Sequence, residues 1–397
     1  MANLTPALTL LSALLVTQST PLASQSYRDF MLVRNRQQPY RSLLQIRAGW
    51  RATDPEGENQ STGLVEDDSI DGFLLYHSKE LSAREDWALD FYAGQDGVFL
   101  SVKDDLNYGK QSQTRLELFG RPKAFFRDGY YTGGHYLIRG QYEGRDYGLR
   151  LSTAQSVDQD LILDIGAFYK VNEFSRNAQT ELRGPLGFEI PDDFNSYGST
   201  VTIEQNTIKL DRVLGLPQSG VLMTVMAEYA LNDSNKMWGS TAYTTKLASG
   251  FWRGHSRIEF YVPNSKSGVW EILADLGLYD KSDRVTSYHA EHVQGYLWGD
   301  GTLGYRMAIG QSFVFKPYLQ LQYSKALDEQ GTSSNEHVFW GGGVDMSLIF
   351  GNNMAMVLNY SYVNNPSRGH VSLQNDFYGE HQFFIGMDVS FGSGYRR

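Results

Sequence analysis

The sequence predicts an all-β chain: a closed antiparallel transmembrane β-barrel of about 16 strands (roughly 14–18), preceded by a signal peptide. Three observations predict it. Apolar residues recur at every second position through most of the chain, as strands with one apolar and one polar face require. The polar face carries full charges within strands, which neither lipid nor a dry core accepts without heavy cost. Finally, no run after the leader is long and apolar enough for a membrane-spanning helix, which needs roughly 20 residues. A chain that crosses lipid on strands must close, because an open edge leaves backbone groups without partners.

The leader comes first. Met1 to Ser24 carries no charge; Ala7 to Val16 is a short apolar run, and Leu22-Ala23-Ser24 before Gln25 reads as a small-residue cleavage site. It lacks the usual Lys or Arg near the start. Residues 1–24 are therefore read as a signal peptide and 25–397 as one barrel domain, since no linker, charge run or repeat divides the rest.

The mature chain then alternates, strand after strand. Leu44, Ile46, Ala48 and Trp50 oppose Gln45, Arg47, Gly49 and Arg51. The acidic stretch Asp54 to Asp71 reads as a long exposed loop. Trp87, Leu89 and Phe91 oppose Ala88 and Asp90, and Val98, Leu100 and Val102 oppose Phe99, Ser101 and Lys103. Leu116 and Leu118 oppose Gln113, Arg115 and Glu117; Tyr136 and Ile138 oppose Arg139, and Tyr142 opposes Glu143. Leu149 and Leu151 oppose Arg150 and Ser152, and Leu163, Ile165 and Ala167 oppose Asp164 and Gly166. Asn172 to Asn195 reads as a polar connection.

The second half keeps the pattern. Val201 and Ile203 oppose Glu204; Val225 and Tyr229 oppose Thr224 and Glu228; Ile258 and Phe260 oppose Arg257 and Glu259. Ile272, Leu276 and Leu278 oppose Glu271 and Asp275. Leu303, Leu319, Leu321, Met346, Leu348 and Leu358 mark the strands that follow. The last strand alternates Phe383, Ile385, Met387, Val389 and Phe391 with Gly386, Asp388 and Ser390.

Composition agrees. Tyr (25), Phe (21) and Gly (40) against 11 Pro suit long paired strands joined by turns. Aromatics gather near strand ends, as interfacial girdles do. Residues 25–397 number 373, which at 16 strands gives about 23 per strand and connection. A net charge of −10 argues against a nucleic-acid binder held by phosphate contacts. With no cysteine, disulfides, thiolate metal sites and a cysteine nucleophile are excluded.

The segment Phe384-Ile385-Gly386-Met387-Asp388-Val389-Ser390-Phe391 resembles the C-terminal targeting strand of Gram-negative outer-membrane β-barrel proteins. Gly386, Val389 and Phe391 match its pattern, while Phe384 replaces a usual polar residue and six residues follow the aromatic. The resemblance implies residence in the outer membrane, contact with its lipid and lipopolysaccharide, and insertion by the barrel-assembly machinery. Val293-Gln294-Gly295-Tyr296 is similar to the Val-Arg-Gly-Phe/Tyr lid-loop motif of the assembly and two-partner secretion translocators, with Gln294 in place of the Arg.

For function, a wide barrel with charged inner faces predicts a pore for small hydrophilic solutes, its lumen lined by Arg47, Arg51, Lys103, Arg115, Glu117, Arg139, Glu143, Arg150, Glu204, Glu228, Glu259, Glu271 and Asp275. Bases fall early in the chain and acids late, so either a transverse field spans the lumen or opposed charges pair across it. A plugged barrel for envelope assembly, export or adhesion is the alternative, and a lipid-active enzyme the second. No catalytic residue, cofactor or metal is expected. His77–Ser78 and His255–Ser256 point to opposite faces of a strand, His135 has no matching motif, and Ser287–His289 reads as loop. The acidic clusters Glu66–Asp71 and Asp192–Asp193 lack a calcium-loop layout.

Overall fold

The computed structural model describes residues 42–55, 67–79, 87–104, 112–121, 128–132, 135–176, 189–211, 215–239, 244–282, 296–327, 334–350, 353–364 and 379–393, with Met31. The leader 1–24 lies outside them. The strands are β1 (Ser42–Pro55), β2 (Asp67–Ser78), β3 (Trp87–Gly94), β4 (Gly97–Asp104), β5 (Ser112–Arg121), β6 (Asp128–Thr132), β7 (His135–Asp158), β8 (Leu161–Ser175), β9 (Phe194–Asn206) and β10 (Lys209–Leu210). They continue as β11 (Pro217–Asn232), β12 (Met237–Gly239), β13 (Thr244–Lys246), β14 (Gly250–Pro263), β15 (Gly268–Tyr279), β16 (Leu297–Ile309), β17 (Phe313–Leu327), β18 (Ser334–Phe350), β19 (Met354–Asn364) and β20 (Gly379–Ser393).

Sixteen of these form one antiparallel wall in chain order; β6, β10 and the β12–β13 pair stand outside it. The wall closes where β1 meets β20, in register from Ser42↔Ser393 to Pro55↔Glu380. Both chain ends therefore leave by one rim, the terminal rim. Tight connections there include Gln159–Asp160 and Gly310–Ser312, while the longest connections join strand ends at the opposite loop rim.

The period of two sets the two faces. Leu116 pairs with Leu151 and Leu118 with Leu149 across β5 and β7, all four on the outside. Ile165↔Val201 and Val201↔Ala227 carry the belt onward. Aromatics edge it. Tyr169↔Tyr197 and Tyr229↔Trp252 lie toward the loop rim, and Trp270 packs 4.7 Å from Tyr305 toward the terminal rim. An apolar band of this extent far exceeds the few hundred Å² a soluble monomer exposes, so its solvent is the acyl region of a bilayer.

Two loop expectations are corrected. Asp54 belongs to β1 and Asp67–Asp71 to β2, with Arg51 paired to Asp71. Likewise β8 runs to Ser175 and β9 starts at Phe194. These ends rise past the lipid into water, where charge within a strand costs little and alternation fades.

At the seam, Val389 lies opposite Ile46 and Phe391 opposite Leu44 on the lipid side. Gly386 faces Gly49 on the inside. A Cβ on Gly386 would stand 2.7 Å from Phe384 Cζ and 2.6 Å from the Ala48 carbonyl oxygen. The two glycines thus make room for the Phe384 ring, which accounts for an inward aromatic where a polar residue is usual.

Candidate functional site: the barrel lumen

Nearly every wall strand carries polar or charged side chains on its inward face, among buried apolar ones, and the charges are matched locally. On β5, β7 and β8, Arg150 donates to Glu117, Arg115 Nε donates to Gln113 at 2.7 Å, and Ser152 Oγ donates to Asp164 at 3.1 Å. Arg115 and Glu117 are each only 1% exposed. On β2, β3 and β4, Asp90 takes Lys103 Nζ at 2.7 Å and contacts His77 Nδ1. On β14 and β15, Arg257 reaches Glu259 at 2.8 Å and Asp275 at 3.4 Å.

Toward the loop rim, Asp146 takes both Arg121 (2.7 and 2.8 Å) and Lys170 (3.0 Å), and Glu228 faces Arg253 at 3.5 Å. An amide ladder sits beside them: Asn172 Nδ2 donates to Ser196 Oγ, which donates to Asn232 Oδ1 at 2.8 Å. Toward the terminal rim, Glu271 takes Arg306, and Lys316 bridges Glu271 and Asp345 at 3.7 and 2.8 Å. Such buried charges persist only when paired.

Of the residues read from the sequence, Arg47, Arg115, Glu117, Arg150, Glu204, Glu259 and Glu271 are buried on the inner face, and Lys103, Glu228 and Asp275 lie half-buried there. Arg51 stands at the loop rim, 44% exposed. The side chains of Arg139 and Glu143 lie outside the described residues. Among the described residues, neither charge arrangement expected from the sequence is the one found. Ion pairs run along the wall, within one strand or between strands one or two places apart, and both signs occur in both halves: Asp90, Glu117 and Asp164 early, Arg257, Arg306 and Lys316 late. The partners that single-residue reading passed over, Asp146, Arg306 and Asp388 among them, lie on the same alternation and could have been found by pairing strands.

The lumen is not evenly open. Inward Tyr92, Phe99 and Phe119 form an apolar cluster, and the Met31 side chain packs against it inside the lumen. Asp275 and Asp300 face each other directly across β15 and β16, and Asp300 is met by the Gln320 amide at 3.1 and 3.2 Å.

The other candidates are held in local contacts. His77 is held by Asp90 inside the barrel, away from the lipid face, and the His255 ring stands 5.0 Å from that of Trp298. Asp193 caps the Phe174 N–H at 2.7 Å. Asp192 pairs with Lys236, and that hydrogen bond holds the lysine ammonium above its ordinary range. The His135 side chain, Ser287 and His289 lie outside the described residues, as do Val293, Gln294 and Gly295. Tyr296 is buried at the loop rim, its N–H donating to the Lys325 carbonyl at 3.0 Å.

No family model matches the chain, and no curated protein matches it. Solved structures do. BamA from Haemophilus ducreyi lacking POTRA domains 1–3 superposes with TM-score 0.50 at 10% identity, over 89% of this chain and 70% of that one. OprB of Pseudomonas putida gives TM-score 0.49 at 11% identity, over 89% and 94%. CdiB from Acinetobacter baumannii gives 0.47 at 8%, over 88% and 60%. With its closed 16-strand wall and apolar girdle, the chain has the fold of the Gram-negative outer-membrane β-barrel proteins.

Proposed function

We propose that this barrel sits in the outer membrane, terminal rim toward the periplasm, and conducts small hydrophilic solutes through a narrow lumen. The observation that carries the reading is the set of cations on the inner wall, each met by carboxylates on nearby strands. A barrel that served only as an anchor has no need of ten or so wall-borne cations met by carboxylates, because an apolar filling of equal volume is often as stable or more so. Water-filled passages are lined in this way. We further infer that the chain has no catalytic activity of its own, that it is inserted by the barrel-assembly machinery, and that its rim charges meet lipopolysaccharide. Planar-bilayer recording of purified full-length protein tests the pore; a complete absence of conductance steps over a wide range of voltage and salt is the result that counts against it.

A second reading has one specific observation behind it. Met31 inside the lumen, against Tyr92, Phe99 and Phe119, is what a plugged barrel serving assembly or export would show. Removing residues 25–40 separates the two. A pore gains conductance from the truncation, whereas a dedicated plugged scaffold gains none.

A further inference from the structure

The β9–β11 hairpin does not stop at the terminal rim. We propose that its two described flanks, Thr207–Asp211 and Gly215–Ser219, form a lid across the terminal mouth of the lumen, and that this lid swings aside when a solute passes. The proposal rests on the pore reading above.

The bend comes first. The β9–β11 register ends at Asn206↔Leu222, and beyond it Thr207 N–H donates to the Val221 carbonyl at 2.8 Å while Val221 N–H donates to Thr207 Oγ1 at 2.9 Å. The short β10 then pairs with the start of β11, Lys209↔Ser219 and Leu210↔Pro217. At the turning point Gly220 has φ +109°, and a Cβ there would come within 2.8 Å of Ile208 Cα. Only glycine fits that combination of dihedral and crowding.

Past the bend the apolar side chains point into the mouth. Ile208 is buried among Leu222, Tyr261 and Val269, the inward residues of β11, β14 and β15 at this rim. Leu216 is buried among Val314, Ile349 and Ala355, which belong to β17, β18 and β19. Those strands lie four to six places around the wall from β11. A residue just ahead of β11 reaches them along a chord across the mouth, not along the wall. Arg306 of β16 adds a polar latch, donating to the Pro217 carbonyl as well as to Glu271.

Among the described residues, the lid meets the far side through the Leu216 contact and β16 through the Arg306 hydrogen bond, and it packs on the near side through Ile208, where it is also covalently attached. A rim turn with no such role has no reason to bury a leucine on strands so far from its own. The flanks move as a hairpin about the Gly220 bend, and the paired wall strands stay in place.

The native chain contains no cysteine, so Leu216→Cys with Val314→Cys supplies the sole possible disulfide. Single-channel recording compares this full-length double variant oxidised and reduced, each single-cysteine variant treated alike, and Arg306→Ala. Heat-modifiable migration checks that each is folded, and Leu216→Cys with Ile349→Cys is the replacement should the first pair fail that check. The expected result is at least a tenfold fall in open-channel activity on oxidation, reversed by reductant, and a higher open probability in Arg306→Ala. Equal conductance in the oxidised and reduced forms, with the disulfide confirmed by mass, overturns the lid and leaves the pore standing. Silence of the wild type, the reduced variant and Arg306→Ala together overturns the pore and the lid with it.

Discussion

Arg47 on the first strand and Asp388 on the last meet inside the barrel, Nη2 to Oδ2, at 2.8 Å. Asp388 is fully buried and also takes Gln45 Nε2 at 2.8 Å and Ser390 Oγ at 3.3 Å. The Arg47 guanidinium lies 5.1 Å from the centre of the Phe73 ring. Residues 341 positions apart in the chain thus pin the one junction that no connecting loop ties together.

Breaking that pair should be costly, and breaking both halves should not. Arg47→Leu strands an uncompensated carboxylate in the wall, a loss of about 3–5 kcal/mol. Adding Asp388→Leu should restore most of it. Urea unfolding in detergent, read by loss of the heat-resistant folded band, gives the cycle. A double variant no more stable than the single one would mean the two side chains are not coupled.

The Phe384 ring over Gly49 and Gly386 gives a second expectation. Gly386→Val forces a branched side chain into space filled by that ring and by the Ala48 carbonyl. Overpacking of this kind costs roughly 1–3 kcal/mol. Folded yield should fall, and Phe384→Ala in the same chain should recover part of it by vacating the space. If Phe384→Ala gives no recovery, the clash is with the backbone alone.

Much of this was legible in the sequence where burial imposes one rule on a whole strand. Leu116, Leu118, Leu149 and Leu151 alternate with Arg115, Glu117 and Arg150 because lipid and lumen each select one face, and the register follows from that. Legibility fails where both faces meet water, as at Asp67–Asp71, because no alternation is then required. It fails also for partnership. Nothing in a single strand says that Glu117 answers Arg150 and not a residue across the lumen, since pairing depends on which strands are neighbours and in what stagger. The inward course of Ile208 and Leu216 was hidden for a third reason: the signal is a backbone bend at Gly220, and a glycine near a turn has many other uses.

The lipid face makes the plainest claim. Leu151 lies mid-strand on β7 and is 55% exposed, next in sequence to inward Ser152. Leu151→Arg should cost about 2–4 kcal/mol, the penalty for a cation near the bilayer midplane of a barrel. The same change at Val157, beside the tight turn at the terminal rim, should cost no more than about 1 kcal/mol. Equal penalties at the two positions, measured by reversible folding into lipid vesicles, would remove the membrane from the account of this face.

The facing carboxylates Asp275 and Asp300 set the sign of selectivity. Like charges directly opposite across a strand pair are unfavourable in themselves. Arg257 stands near the first, and among the described residues the second is met by a neutral amide, that of Gln320. Negative potential is left on this stretch of the lumen, so the pore should favour cations. Asp300→Asn should move the reversal potential in a potassium chloride gradient toward zero, and Asp300→Lys should move it further. Salt separates a local field from a steric filter. At about 0.1 M the screening length is about 10 Å and at 1 M about 3 Å, so preference set by these carboxylates should fade between the two. A reversal potential unmoved by either substitution would place Asp300 away from the conduction path, and a preference undiminished at high salt would assign selectivity to the width of the lumen instead.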